Sequence, residues 1–106
     1  MDKKYAAQEA ITHSMMGSLG LKLIEEKEGF IRASMPVNDN TSQPFGVLCG
    51  GASLAFAEII AGYGSYLCCP EGFIPVGSSV SGNHVSSVRK APDVLVYAEA
   101  TALHLG

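Results

Sequence analysis

The chain has 106 residues, 47% of them hydrophobic and 16% charged, with a formal net charge of -3. That length fits a single domain over residues 1–106 with a real core, and the scattered Lys and Arg offer no basic patch for phosphates, which excludes a nucleic-acid binder. The charged fraction falls below the roughly 25% usual for soluble proteins, so a second subunit is expected to cover part of the surface.

Residues 5–16 read as a short amphipathic helix, with Tyr5, Ala6, Gln8, Glu9, Ile11, Met15 and Met16 near helical spacing and Gly17 and Gly20 closing it. Gln8, Glu9, Thr12 and His13 interrupt its apolar residues, so it lacks the continuous core of an export signal. Two strands follow, Leu19 to Glu26 and Phe30 to Val37, joined at Gly29, where a hairpin favours positive φ. In the second, Ile31, Ala33, Met35 and Val37 alternate with Phe30, Arg32, Ser34 and Pro36. The polar stretch NDNTSQPFG is a turn segment. From Gly50 to about Leu67 the chain is rich in Ala, Leu and Ile, free of proline, and helical in pattern. Pro70 and Gly72 end it, and Val76 to Val88 and Val94 to Leu105 read as two further strands. Two strands on either side of one apolar helix predict an α+β domain whose antiparallel sheet wraps that helix.

Residues 44–69 carry a single charge, Glu58. Glu58 near the centre of this stretch, and Gly46, Gly50, Gly51, Gly62 and Gly64, which dilute the hydrophobicity, argue against a membrane span and for a buried helix. Cys49, Cys68 and Cys69 are an odd, poorly spaced set for disulfides or zinc, and reduced thiols in a cytoplasmic compartment fit them better. His13 and His104 have no companions at metal-ligand spacing, so no metal is expected.

Glu58 is the sharpest feature. Its neighbours one turn away are Leu54, Ala55, Ala61 and Gly62, so no basic residue on the helix can neutralise it. Burying an unpaired carboxylate is costly; Glu58 therefore either occupies the one wet edge of the helix or serves a reaction as general base or nucleophile. Cys49-Gly50-Gly51 opens the helix, where two glycines either leave backbone N–H groups free for a ligand or simply make a turn. Cys49 is there either a reactive thiol or a small buried hydrophobe.

QPFGVLCGGASLAFAE, GNHVSSVR and the closing LHLG resemble the hotdog-fold acyl-CoA thioesterases, in the branch that hydrolyses aromatic acyl-CoA such as 1,4-dihydroxy-2-naphthoyl-CoA and proofreads aryl carrier proteins. The order Gln-Pro-Phe-Gly, Gly pair, and Glu seven residues after the second Gly carries the resemblance. It implies a sheet wrapped round the central helix and homodimers or homotetramers with the active site between subunits. It implies that Glu58 is the catalytic carboxylate, that Gln43 positions water or the thioester, and that the Gly50 amide holds the carbonyl oxygen. Gly51, Gly62, Asn83 and His84 would line the acyl or pantetheine pocket, the substrate being an acyl-CoA or acylated carrier protein. No cofactor is implied, coenzyme A being part of the substrate.

Three departures from that pattern stand out. Cys49 replaces a His, and a thiol is a weaker donor towards the thioester. Gly62 replaces a hydroxyl residue four positions after the Glu. The sequence stops at LHLG, where the family continues through two further strands, so the expectation is either a truncated chain or a sheet completed by another chain. These departures raise a second expectation, a catalytically impaired acyl-CoA-binding or assembly protein on the same fold.

Overall fold

The computed structural model describes residues 3–105, with side chains from Gln8 onward; the expected packing of Tyr5 and Ala6 and the final Gly106 lie outside the described residues. The elements in chain order are α1 (Lys3–Thr12), α2 (Met15–Ser18), β1 (Lys22–Lys27), β2 (Phe30–Pro36), a 3-10 turn (Asp39–Thr41), α3 (Gly50–Cys68) and β3 (Leu95–Thr101).

The single helix expected over residues 5–16 is divided in two. Ser14 adopts extended geometry and its hydroxyl accepts from the Met16 N–H, so it caps a new turn rather than continuing the old one. Gly29, at φ 78°, closes the β1–β2 hairpin as the sequence predicts. The first strand begins at Lys22 rather than Leu19, because Leu19 and Leu21 turn into the core with Met16. β1 is an edge strand with a bulge between Leu23 and Glu25 and four charged residues, both of which discourage pairing with a further strand.

The sheet has the order β1-β2-β3, antiparallel throughout, with Arg32 opposite Glu99 and Ala33 opposite Ala98. The alternation in β2 places Ile31, Ala33, Met35 and Val37 in the core. On α3, Ala52, Phe56 and Ile60 recur every four residues and are buried against this face. Gly64 continues the stripe, and a Cβ there would stand 3.1 Å from the Ile31 side chain, so its lack of one lets the helix end settle close to the sheet.

The expected strand Val76 to Val88 is not a strand. Among the described residues no backbone hydrogen bond involves residues 74–87. This segment runs along α3 on the side facing away from the sheet, against Glu58, Leu54 and Gly50, and so pairs with none of the three strands. It is tied down only beyond its end, where Leu48 N–H donates to Val88 O (2.8 Å) and Lys90 N–H donates to Gly46 O (2.9 Å). Lys90 Nζ also contacts Asp39 Oδ1 at 2.7 Å, and this hydrogen bond, reinforced by the lysine's charge, holds the Asp39 carboxyl below its ordinary range. The last strand stops at Thr101 rather than Leu105: its register with β2 ends at Phe30, and one further bond, Ala102 N–H to Gly29 O (2.8 Å), meets the hairpin turn where the chain swings away.

Ile60 is 1% exposed at the centre of the helix–sheet contact. Ile60→Ala is expected to destabilise the fold by about 2–5 kcal/mol, read as a lower urea midpoint at unchanged m-value.

Candidate active site

The entrance to α3 is built by hydrogen bonds that fix it relative to β2. Thr41, buried, donates its hydroxyl to Pro36 O (2.8 Å) at the end of β2 and accepts from the Asn38 N–H (3.0 Å). Its own carbonyl then accepts from the Cys49 N–H at 2.8 Å. Cys49 occupies the N-cap with extended geometry, and its carbonyl accepts from Ala52 (3.0 Å) and Ser53 (3.2 Å). Among the described residues nothing in the protein accepts from the Gly50 or Gly51 N–H. Two free amides thus stand at the positive end of a 19-residue helix, an arrangement suited to a developing negative charge.

His84 lies over the same helix end. A Cβ added to Gly50 would stand 2.8 Å from His84 Nε2, so the imidazole occupies the space that a side chain would take. Cys49 is half-buried, makes no capping hydrogen bond through sulfur, and would be 3.6 Å from a Cβ at Gly51. Cys49, Gly50, Gly51 and His84 therefore form one group, joined from two segments far apart in sequence. Gln43 sits on the preceding loop with its side chain exposed; its N–H donates to Val47 O (2.8 Å) and its carbonyl accepts from Gly46 (2.9 Å). Asn83 is exposed beside His84.

Glu58 stands apart from this group. It lies two helical turns from Gly50, about 12 Å along the axis. By helical phase it is on the face of α3 about opposite the buried stripe of Ala52, Phe56 and Ile60. There it is half-buried, and among the described residues it has no hydrogen-bond or ion-pair partner. Its carboxylate faces the extended segment at Gly77, in a cavity of about 220 Å³ that also takes in Ala61, Gly62, Ser65, Val76 and Val80. Gly62 is thus brought to Glu58, whereas Gly50, Gly51, Cys49 and His84 do not line that cavity. The wall formed by Pro75 to Val80 was hidden by its strand-like composition; its one signal is Gly77 inside an otherwise β-prone run, a mark of close approach. Among the described residues no three His, Cys, Asp or Glu side chains converge as a metal-ligand set.

The segment follows α3 in the opposite direction: Gly77 meets Glu58, Gly82 comes within 3.3 Å of Leu54 Cδ1 when given a Cβ, and His84 meets Gly50. Helix and segment are separated by little more than three glycines.

Residues 45–106 match the Thioesterase superfamily. Among curated relatives, the 1,4-dihydroxy-2-naphthoyl-CoA hydrolase of Escherichia coli is 38% identical over 93 residues, covering 88% of this chain and 66% of the relative. The proofreading thioesterase EntH of Klebsiella pneumoniae is 36% identical over 94 residues, covering 89% and 66%. Among solved structures, a thioesterase from Haemophilus influenzae superposes with a TM-score of 0.82 at 40% identity, covering 92% of this chain and 66% of that one. The chain belongs to the Thioesterase superfamily, and its α+β arrangement is the hotdog fold, with three strands of the sheet among the described residues. It spans about two thirds of the length of these relatives. Among the described residues no helix is long and apolar enough to cross a membrane.

The contact between Gly50 and His84 is measurable. Gly50→Ala is expected to be more destabilising in the wild type than in a His84→Ala background, where the ring is gone, by a coupling of about 0.5–3 kcal/mol in a denaturation cycle.

Proposed function

We propose that this protein hydrolyses the thioester of an acyl-CoA or an acylated carrier protein, with Glu58 as the reacting carboxylate and the Gly50 amide as the oxyanion donor. The observation that carries this reading is Glu58 itself: a half-buried carboxylate without a polar partner among the described residues, aimed into a small chamber walled largely by apolar groups. In water-mediated hydrolysis Glu58 takes a proton as the water oxygen bonds to the thioester carbon. The carbonyl oxygen gains charge and is stabilised by an N–H at the start of α3, a donor worth a few kcal/mol. The carbon–sulfur bond then breaks, the departing thiolate takes the proton held by Glu58, and the acyl group is released as a carboxylic acid that loses its own proton to solvent. Glu58 attacking the carbon directly gives the same products through an anhydride that water opens.

Glu58 and Gly50 of one chain do not share a cavity. We infer that the amide serving Glu58 comes from a second copy, so that two antiparallel or crossed α3 helices complete two sites. The relatives' names, a hydrolase of 1,4-dihydroxy-2-naphthoyl-CoA and a proofreading thioesterase, favour an aromatic acyl group. Coenzyme A enters only as part of the substrate, and the three thiols favour a reducing compartment such as the cytoplasm.

A second reading, an acyl-CoA-binding protein with little turnover, is favoured by the Cys49 thiol at the helix cap and by the open space at Gly62. Both lack the polar group that the resemblance places there.

Glu58→Gln is expected to lower kcat on benzoyl-type CoA by about a hundred-fold or more; wild-type turnover in that variant removes the proposal. Mixed dimers of Glu58→Ala and Gly50→Val subunits are expected to regain activity that neither parent has, and absence of complementation removes the two-copy site. Cys49→His is expected to raise turnover by up to about a hundred-fold if a firm hydrogen bond is all that is missing, whereas saturable binding without turnover in both forms selects the second reading.

A further inference from the structure

Gly77 has no conformational reason to be glycine. The glycines that require positive φ are Gly20, Gly29, Gly46 and Gly72, and Gly77 is not among them. It is also exposed, on a run without regular secondary structure. What distinguishes the position is its neighbour. A Cβ there would fall on Glu58 Oε1, nearer than any real Cβ contact, while the next atom, Glu58 Cδ, would be at an ordinary 3.4 Å. No backbone atom and no other side chain stands in the way. The obstruction is therefore wholly the far end of a flexible side chain, which can rotate aside without disturbing the fold.

Gly62, on the same chamber, shows the contrast: a Cβ there has nothing within 4 Å. One glycine borders empty space and the other borders the carboxylate.

We propose that Gly77 is a positioning residue, whose missing side chain lets the Glu58 carboxylate lie against the extended segment and so fixes its orientation in the chamber. The inference rests on the reading of Glu58 as the reacting group. A methyl at position 77 pushes the carboxylate away from the segment by the better part of an ångström or more, and a displacement of about 1 Å at a reacting group costs up to about a hundred-fold in rate. Displacing the reacting group removes stabilisation made only in the transition state, so the loss falls on kcat with KM nearly constant. Stability does not fall, since replacing Gly by Ala where φ allows it restricts the unfolded chain.

The test is a cycle of Gly77→Ala and Glu58→Asp in the purified protein, with Glu58→Gln and Ser81→Ala alongside, the latter lying on the same segment outside the chamber. Asp is one methylene shorter and vacates the space that the Ala methyl takes. Gly77→Ala is expected to lower kcat by about ten- to a hundred-fold in the wild-type background with Tm unchanged or slightly raised, and by less than about two-fold in the Glu58→Asp background. Ser81→Ala is expected to match the wild type. If Glu58→Gln is inactive while Gly77→Ala keeps wild-type kcat, the positioning role is wrong and the reading of Glu58 stands. If Glu58→Gln remains fully active, the reading beneath it fails instead. A fall in Tm together with equal losses of kcat in both backgrounds makes Gly77 merely structural and overturns the inference.

Discussion

The rest of the structure depends on the seating of α3 on the sheet. Phe56 and Ile60, with Ala52 a turn before and Gly64 a turn after, lie against Ile31, Ala33 and Met35, and this contact fixes the rotation of the helix about its own axis. Once the rotation is fixed, Glu58 has no choice of direction: it points away from the sheet, towards the segment of residues 75–80. The Thr41 hydroxyl and carbonyl set the helix's position along the sheet by linking the end of β2 to the cap at Cys49. Rotation and translation together decide where the free amides of Gly50 and Gly51 stand. The chemistry proposed for Glu58 and Gly50 is thus a consequence of apolar packing on the far side of the helix.

The opposite side is held differently. Residues 74–87 make no backbone hydrogen bonds among the described residues and lie close to α3 at Gly77, Gly82 and His84. Their anchoring comes from the pairing of residues 46–48 with residues 88–90, supplemented by the exposed ion pair of Lys90 and Asp39. Such an exposed pair contributes little on its own. The helix therefore has one rigidly packed face and one face covered by a segment with few constraints, and the carboxylate sits on the second.

Much of this was legible in the sequence. The span of α3 from its Gly pair, the alternation in β2 and the turn at Gly29 all follow from local rules of periodicity and glycine conformation, and the structure agrees closely with each. The isolation of Glu58 followed from its neighbours at 54, 55, 61 and 62, because helical spacing is a local property. Val76 to Val88 misled, since β composition states only that a segment can pair, and this one lies along α3 at Glu58, Leu54 and Gly50 instead of beside a strand. Ser14 misled in a smaller way, its capping hydroxyl outweighing the apolar spacing on either side of it. The meeting of Gly77 with Glu58 and of His84 with Gly50 lay beyond sequence reasoning, for each joins positions whose proximity only the path of the extended segment determines.

The two glycines of the chamber leave its walls unequal. On the helix side, position 62 has room for added volume, so the shape of the hollow can drift by substitution there while the backbone stays as it is. On the facing side, a side chain at position 77 would meet the carboxylate first and turn it aside. Substitution can thus reshape this hollow without obstruction through one wall, whereas through the other it acts first on Glu58.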